Sequence, residues 1–269
     1  MTIVPILLYH SITDDPPGWI APYTVTPRVF SEHLRLIADS GRTVLTVSGL
    51  RAALAGHAEL PARPIVLTFD DGFADFAAAA TTLADAGMPS TLYVTTGALR
   101  GRSSRPSGLA LPPAPMLDWS QLVGLAALGV EIGAHTHTHP QLDTIGPAAV
   151  RDELVRCKVL LEDALGQEIT DFAYPHGFHT AALRDTVEAA GYRSACAVGN
   201  ALSSAADHPF ALARLTVRPT TSMTTLRAWL DGRGAPVAPQ AELLRTKAWR
   251  TYRRWRGTRS ARGVIAGID

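Results

Sequence analysis

Cysteine is nearly absent: Cys157 and Cys196 are the only two in 269 residues, and they stand 39 positions apart. No Cys-x-x-Cys spacing exists, which excludes a thiolate zinc knot or a densely cross-linked scaffold as the basis of the fold. Free buried thiols are the expectation, with one disulfide as the alternative. Net charge is also small, +1 overall, so nothing calls for a nucleic-acid partner. No stretch approaches the roughly 20 apolar residues of a membrane span. Met1–His10 lacks a basic start and a small-residue cleavage site, and reads as a first strand rather than a leader. These absences together lead to the expectation of a cytoplasmic protein. No internal repeat is found.

What is present suits a packed α/β body. The chain is 46% hydrophobic and 18% charged, enough to bury a full core in one large domain or two small ones. The charge is uneven. From Leu243 to Asp269 there are eight Lys or Arg and one acid, a local +7, so residues 1–242 carry about −6. Gly232 to Pro239 has linker composition. The expected division is therefore a body over residues 1–232, then a linker and basic tail over 233–269. The tail, with Trp249, Tyr252 and Trp255, reads as a solvated helix or as a peripheral contact with an anionic membrane surface or acidic polymer.

Along the body, short apolar runs alternate with helical patterns. Ile3–Tyr9, Val44–Val47, Ile65–Phe69, Thr91–Thr95, Val130–Gly133, Ile169–Tyr174, Tyr192–Val198 and Leu215–Val217 read as strands. Helices are expected after Thr26-Pro27, from Ser48 as cap, over Phe73–Ala86, from Asp118 or Ser120, and over Pro147–Leu165, Thr180–Ala190 and Met223–Leu230. Such alternation predicts parallel strands with crossover helices and an active site at the strands' C-terminal ends. Gly97 to Pro115, rich in Gly, Pro, Ser and Arg, reads as a rim loop or lid.

Thr68-Phe69-Asp70-Asp71-Gly72 ends one of those strands with two adjacent carboxylates. Side chains alternate along a strand, so both can serve one site only if the chain turns there, and Gly72 is the expected turn residue. Three histidines alternate at His135, His137 and His139, after another strand. Asp71, His135 and His139 would make a three-ligand set with open positions, as a catalytic rather than a structural metal site requires. His137 would point away from such a metal and take a supporting or surface role. Each motif alone is commonly a solvated turn or a helix face; together at matching strand ends they favour a metal centre.

Thr-Phe-Asp-Asp-Gly at 68–72, His-Thr-x-x-His at 135–139 and Phe-Ala-Tyr-Pro-His-Gly at 172–177 resemble the polysaccharide deacetylases, the NodB-homology or carbohydrate esterase family 4 group, over roughly residues 3–231. The resemblance implies a distorted (β/α)7 barrel, related to the TIM barrel, that removes N-acetyl groups from amino sugars. It implies a divalent metal, foremost Zn2+ with Co2+, Ni2+ or Mn2+ as alternatives, held by Asp71, His135 and His139. Asp70 matches the general base, and His176 matches the position whose backbone N–H serves the oxyanion, with Tyr174 and Pro175 beside it. Trp119 is either helix-start packing or a wall of the acetyl pocket. Trp19 and Tyr23 are sugar-stacking candidates or loop anchors.

Two departures from the family pattern stand out. The arginine that often pairs with the catalytic aspartate is replaced by Ala173, so another group must orient Asp70, and Arg214 is a candidate on position alone. The Leu-x-His motif that carries the general acid is missing near the C-terminus. It occurs instead as Leu8-Tyr9-His10, which resembles a circularly permuted branch acting on poly-N-acetylglucosamine and makes His10 the candidate acid, with His176 or His179 next. The implied function is N-deacetylation of an amino sugar. Hydrolysis of another C–N amide in a small metabolite, and a non-catalytic carbohydrate-binding or scaffold barrel, are the alternatives.

Overall fold

A computed structural model describes residues 2–101, 106–239 and 252. Apart from Tyr252, the basic tail lies outside the described residues. Eight strands form a curled, wholly parallel sheet, seven of them along its main path: β1 (Ile6–Tyr9), β2 (Pro64–Phe69), β3 (Ser90–Val94), β4 (Val130–Ala134), β5 (Asp171–Ala173), β6 (Ser194–Cys196) and β7 (Leu215–Thr216), with Thr43–Leu45 pairing beside the start of β2. Their order is β6-β5-β4-β3-β2-β1-β7, so the first strand lies between the second and the last. The chain before β7 approaches β6 as well. Leu212 bridges Cys196 in parallel, and its carbonyl accepts from Ala197 N at 2.8 Å, which carries the curl towards closure. The expected barrel architecture is thus present.

Side-chain alternation separates two cores. Leu7, Tyr9, Leu67, Phe69, Leu92, Val94 and Phe172 face outward into the main cluster with the helices. Ile6, Val66, Tyr93, Ala173 and Cys196 pack with one another inside the curl. Both cysteines are free and buried, and burial pushes each thiol up to about 12. The helices are α1 (Pro27–Asp39), α2 (Val47–Leu54), α3 (Phe76–Asp85), α4 (Trp119–Ala127), α5 (Pro147–Leu165), α6 (Ala181–Ala189) and α7 (Met223–Leu230). No helix among the described residues is long and apolar enough to cross a membrane.

Local chemistry explains most element ends. Thr26 Oγ1 accepts from Val29 N with Pro27 at the first helical position, and Asp118 with Gln121 forms a capping box on α4. The α2 cap is Thr46, not Ser48: β-structure ends at Leu45, and Thr46 Oγ1 takes Gly49 N at 3.1 Å. The apolar run Ile3–Tyr9 is two strands, because Pro5 has no N–H to donate. Ile3–Val4 instead pairs antiparallel with Ser203–Ser204. The packed body also continues beyond residue 232: Ala238 N donates to Leu202 O at 2.9 Å, Leu202 N to Pro236 O at 2.8 Å, and Ser204 Oγ to Ala238 O at 2.7 Å.

Candidate active site

Every barrel strand points its C-terminal end at one mouth, so His10, Asp70 and His135 arrive there from β1, β2 and β4. They line a cleft of about 630 Å³ together with Asp71, His139 and His176. The local backbone is unusual. Five described non-glycine residues have left-handed φ: Asp71 at 76°, Thr136 at 67°, His139 at 60°, His176 at 59° and Asn200 at 45°. Four of them line the cleft, and such conformations, which cost about 1–3 kcal/mol each, concentrate at functional sites.

Asp71 shows what the conformation does. Gly72 N donates to Asp70 O at 3.0 Å, closing a three-residue γ-turn of the rare hand around Asp71. The strand's alternation is broken there, and both carboxylates reach one site. The turn that the sequence assigns to Gly72 is thus centred on Asp71, with Gly72 following at φ 88°. Gly177 answers a similar demand in the Pro-His-Gly motif. It has φ 74°, and a Cβ on it would collide with the backbone nitrogen and side chain of Val198, so only glycine lets the His176 turn lie against that strand end.

One ligand atom each from Asp71, His135 and His139 lie within 4.8 Å of one another, all buried. His139 Nε2 is 3.2 Å and His135 Nε2 3.5 Å from Asp71 Oδ1, an atom that is buried without a hydrogen-bond partner. His135 Nδ1 is 2.8 Å from Ala173 O, which fixes the N–H on Nδ1 and leaves the Nε2 lone pair facing the carboxylate. Burial pushes the His135 imidazole down to about 4, so it is neutral and able to ligate. The donor chemistry and the orphaned carboxylate oxygen fit a divalent cation. Burial would raise the Asp71 carboxyl, but His139, His135 and His10 outweigh it and hold it well below the usual range.

Asp70 is set differently. Arg214, fully buried, donates to both of its oxygens, Nη1 to Oδ1 at 2.6 Å and Nη2 to Oδ2 at 2.8 Å, and anchors its own Nε on Ala197 O at 3.0 Å. The position left by Ala173 is thus served from just before β7. Burial raises the Asp70 carboxyl, and Arg214 followed by His135 and His10 more than reverses this, leaving it ionised below the usual range. Asp70 Oδ2 lies 3.8 Å from His135 Nε2, beside the ligand set but outside it.

His10 lines the same cleft with its ring 5.2 Å from Tyr23 and its Nδ1 buried without a partner. Burial lowers its pKa, against the pull of Asp71 and Asp70. The segment after it is pinned by Asp75, at the start of α3, which accepts from Ser11 Oγ at 2.6 Å and Ile12 N at 3.0 Å. Glu153 of α5 plays the corresponding part for the histidine loop. Its carboxylate accepts His137 N and Thr138 N at 2.8 Å each and Thr138 Oγ1 at 2.5 Å. Neither Asp75 nor Glu153 carries a motif; only an acidic residue on a buried helix face signals them.

The remaining candidates divide. His176 lines the cleft with its ring 4.9 Å from that of His139, and Trp19 and Tyr23 line it too. His137 turns away, with Nδ1 2.9 Å from Thr96 Oγ1. Trp119 does not line the cleft: it starts α4 with its ring in the main core, which corrects the acetyl-pocket reading in favour of helix-start packing. Tyr174 and Pro175 are buried behind the turn, Tyr174 donating its hydroxyl to Phe210 O at 3.1 Å, so they support His176 rather than touch a ligand. Ala110, Leu111 and Pro112 of the Gly97–Pro115 segment form part of the rim.

Residues 57–195 match the family described as Polysaccharide deacetylase. The Bacillus subtilis (strain 168) protein YxkH is 24% identical over 229 residues, 85% of this chain and 76% of that one. The Streptococcus pyogenes deacetylase PplD, solved in complex with acetate, superposes with a TM-score of 0.73 at 25% identity over 86% of this chain and 98% of its own. A de-N-acetylase from Aggregatibacter actinomycetemcomitans gives a TM-score of 0.73 at 20% identity over 84% and 98%. With more than half of its length inside the family match and the Asp-His-His cluster at the barrel mouth, the chain belongs to the polysaccharide deacetylase family.

Proposed function

We propose that the protein is a divalent-metal-dependent hydrolase that removes the N-acetyl group from an N-acetylated amino sugar, with zinc as the metal that suits one carboxylate and two imidazoles. The observation that carries this is the pairing of an orphaned Asp71 oxygen with His135 and His139 beside an Asp70 held ionised by Arg214. A divalent metal held by Asp71, His135 and His139 supplies Lewis acidity towards the amide oxygen and a more acidic water.

The chain's own residues do the rest. Asp70 accepts the proton of the attacking water; each of its oxygens gives one lone pair to Arg214 and retains another for that proton. His10, at the end of β1 beside the strand that carries Asp70, gives a proton to the departing amine nitrogen, and the seat of β1 between β2 and β7 is what brings this N-terminal Leu-Tyr-His segment to the site. The left-handed turn at His176 presents its backbone towards the oxyanion. Trp19 and Tyr23 offer faces to the sugar's C–H surface.

Acetate release from N-acetylglucosamine oligosaccharides, measured beside metal content, tests the reading. Wild type should bind one equivalent of metal and release acetate. Asp70→Asn should keep the metal and lose about 10²- to 10⁴-fold in rate, the usual contribution of a general base. A protein that takes up no divalent metal, or an Asp70→Asn variant with normal turnover, would overturn it.

A further inference from the structure

Deacetylation as proposed above employs Arg214 but leaves a second arginine of the cleft without a task. Arg218 lies two residues beyond β7, half-buried in the cleft wall, with its guanidinium carbon 4.5 Å from the centre of the Tyr23 ring. Among the described residues it makes no ion pair, in contrast to Arg214. Nor is it the partner of Asp70, whose two oxygens are taken by Arg214. Its charge thus stands at the cleft wall without an ion-pair partner among the described residues.

The side chain is also held in place. Arg218 N donates to Thr221 Oγ1 at 2.9 Å, which fixes the turn after β7, and stacking on Tyr23 fixes the guanidinium while leaving N–H edges to donate. Asn200, at the same rim, accepts Thr216 N at 3.3 Å through its carbonyl oxygen, so the end it can still offer is its NH2 donor. Two donors thus line the same cleft, together with the apolar surfaces of Trp19, Ile20 and Phe178. The hydroxyls of a neutral glycan can accept single hydrogen bonds from a guanidinium, but an oxyanion offers a stronger, charge-assisted and two-pronged match.

We propose that Arg218, supported by Asn200, is a subsite for an anionic substituent, a carboxylate or a phosphate, carried by the N-acetylated sugar close to the reacting amide. The subsite rests on the deacetylase function proposed for the same cleft. Tyr23 links the two, since its ring touches both Arg218 and His10. The anion would seat the sugar so that the amide reaches Asp70 and His10.

Binding of de-N-acetylated product sugars tests this without turnover. Isothermal titration of the metal-loaded protein would compare a glucosamine disaccharide without an anionic substituent with the same sugar bearing a lactyl-ether carboxylate or a phosphate monoester. One of the sugars that carry the anionic group should bind about tenfold or more tightly than the unsubstituted one, the range of a hydrogen bond to a charged group. The advantage should shrink with added salt and vanish in Arg218→Met, or in Arg218→Gln if the first variant does not fold. Whichever anion gains identifies the substituent. Equal binding of all three sugars by wild type, or an anionic advantage that survives loss of Arg218, would overturn the subsite. Acetate release from a neutral N-acetylated oligosaccharide by wild type reports separately on the deacetylase function.

Discussion

Replacing Arg214 by Met should damage this protein in a way that separates charge from packing. The guanidinium makes two charge-assisted hydrogen bonds of 2.6 and 2.8 Å to a carboxylate that is itself 3% exposed. Each is worth about 1.5–3 kcal/mol, and removing one partner of a buried pair costs about 3–5 kcal/mol. Asp70 can limit that cost by taking up a proton, because the burial that favours its neutral form then meets less opposition. Protonation, however, removes the base. Hydrolysis at pH 7 should therefore fall by at least about 100-fold, more than about 2.7 kcal/mol in the barrier, while the melting temperature falls less than a full buried-charge loss would require. In wild type the folded pKa is depressed, so the stability from this pair is present above the unfolded carboxyl pKa and is lost as pH falls through the folded one. In Arg214→Met the acid limb of the rate profile should move to higher pH, with partial recovery in alkaline buffer. Arg214→Lys, which keeps the charge without the fork, should lie between the two. The assay is acetate release from about pH 5 to 9, with metal content and a thermal melt on the same samples. An unmoved acid limb in a folded, metal-loaded Arg214→Met protein would refute the reasoning.

Single contacts elsewhere in the barrel carry their own expectations. Glu153→Ala should weaken metal binding about 10- to 100-fold by releasing the loop that carries both histidine ligands, as changes behind metal ligands do; competition with a chelator reads this, and unchanged affinity would dismiss Glu153 as a positioning residue. His10→Ala should slow hydrolysis with metal occupancy unchanged and abolish the alkaline limb of the rate profile; an identical profile would move the acid elsewhere. Glu131, pushed above the ordinary carboxyl range by burial and then by Asp171, is stabilised in its protonated form by folding. Stability from it is therefore lost as pH rises through its folded pKa, so Glu131→Gln should raise the melting temperature at pH 7 and lose that advantage below about pH 4, near the ordinary carboxyl pKa. Gly177→Ala should lower both stability and rate, read by a thermal melt and acetate release, since the clash with Val198 displaces the His176 turn.

The sequence told most where chemistry is local. A strand end, two adjacent acids and three alternating histidines are contiguous signals, and the structure places Asp71, His135 and His139 in one cluster with Asp70 alongside. Arg214 could be nominated on position alone, because its partner lies 144 positions away and no spacing rule spans that distance. Glu153 and Asp75 were missed for a related reason: they accept backbone N–H groups and one hydroxyl each from segments far away in sequence, a pairing no motif records. Trp119 shows the opposite limit. Its place at a helix start was legible, but not which way the ring points, since that depends on how α4 packs on the barrel. Pro5 was legible in principle, yet one residue without an N–H redirects a whole run of apolar residues between two sheets.

The seat of β1 between β2 and β7 has a temporal side. β1 pairs on one flank with β2 and on the other with β7, the latest of the seven path strands in the chain, and Arg214 immediately precedes β7. A chain interrupted before residue 214 would already contain every metal ligand and His10, yet would lack the guanidinium that pairs with both oxygens of Asp70. Assembly of the site is thus completed only when the final stave docks, which makes a contact between residues 144 positions apart the one that arms it.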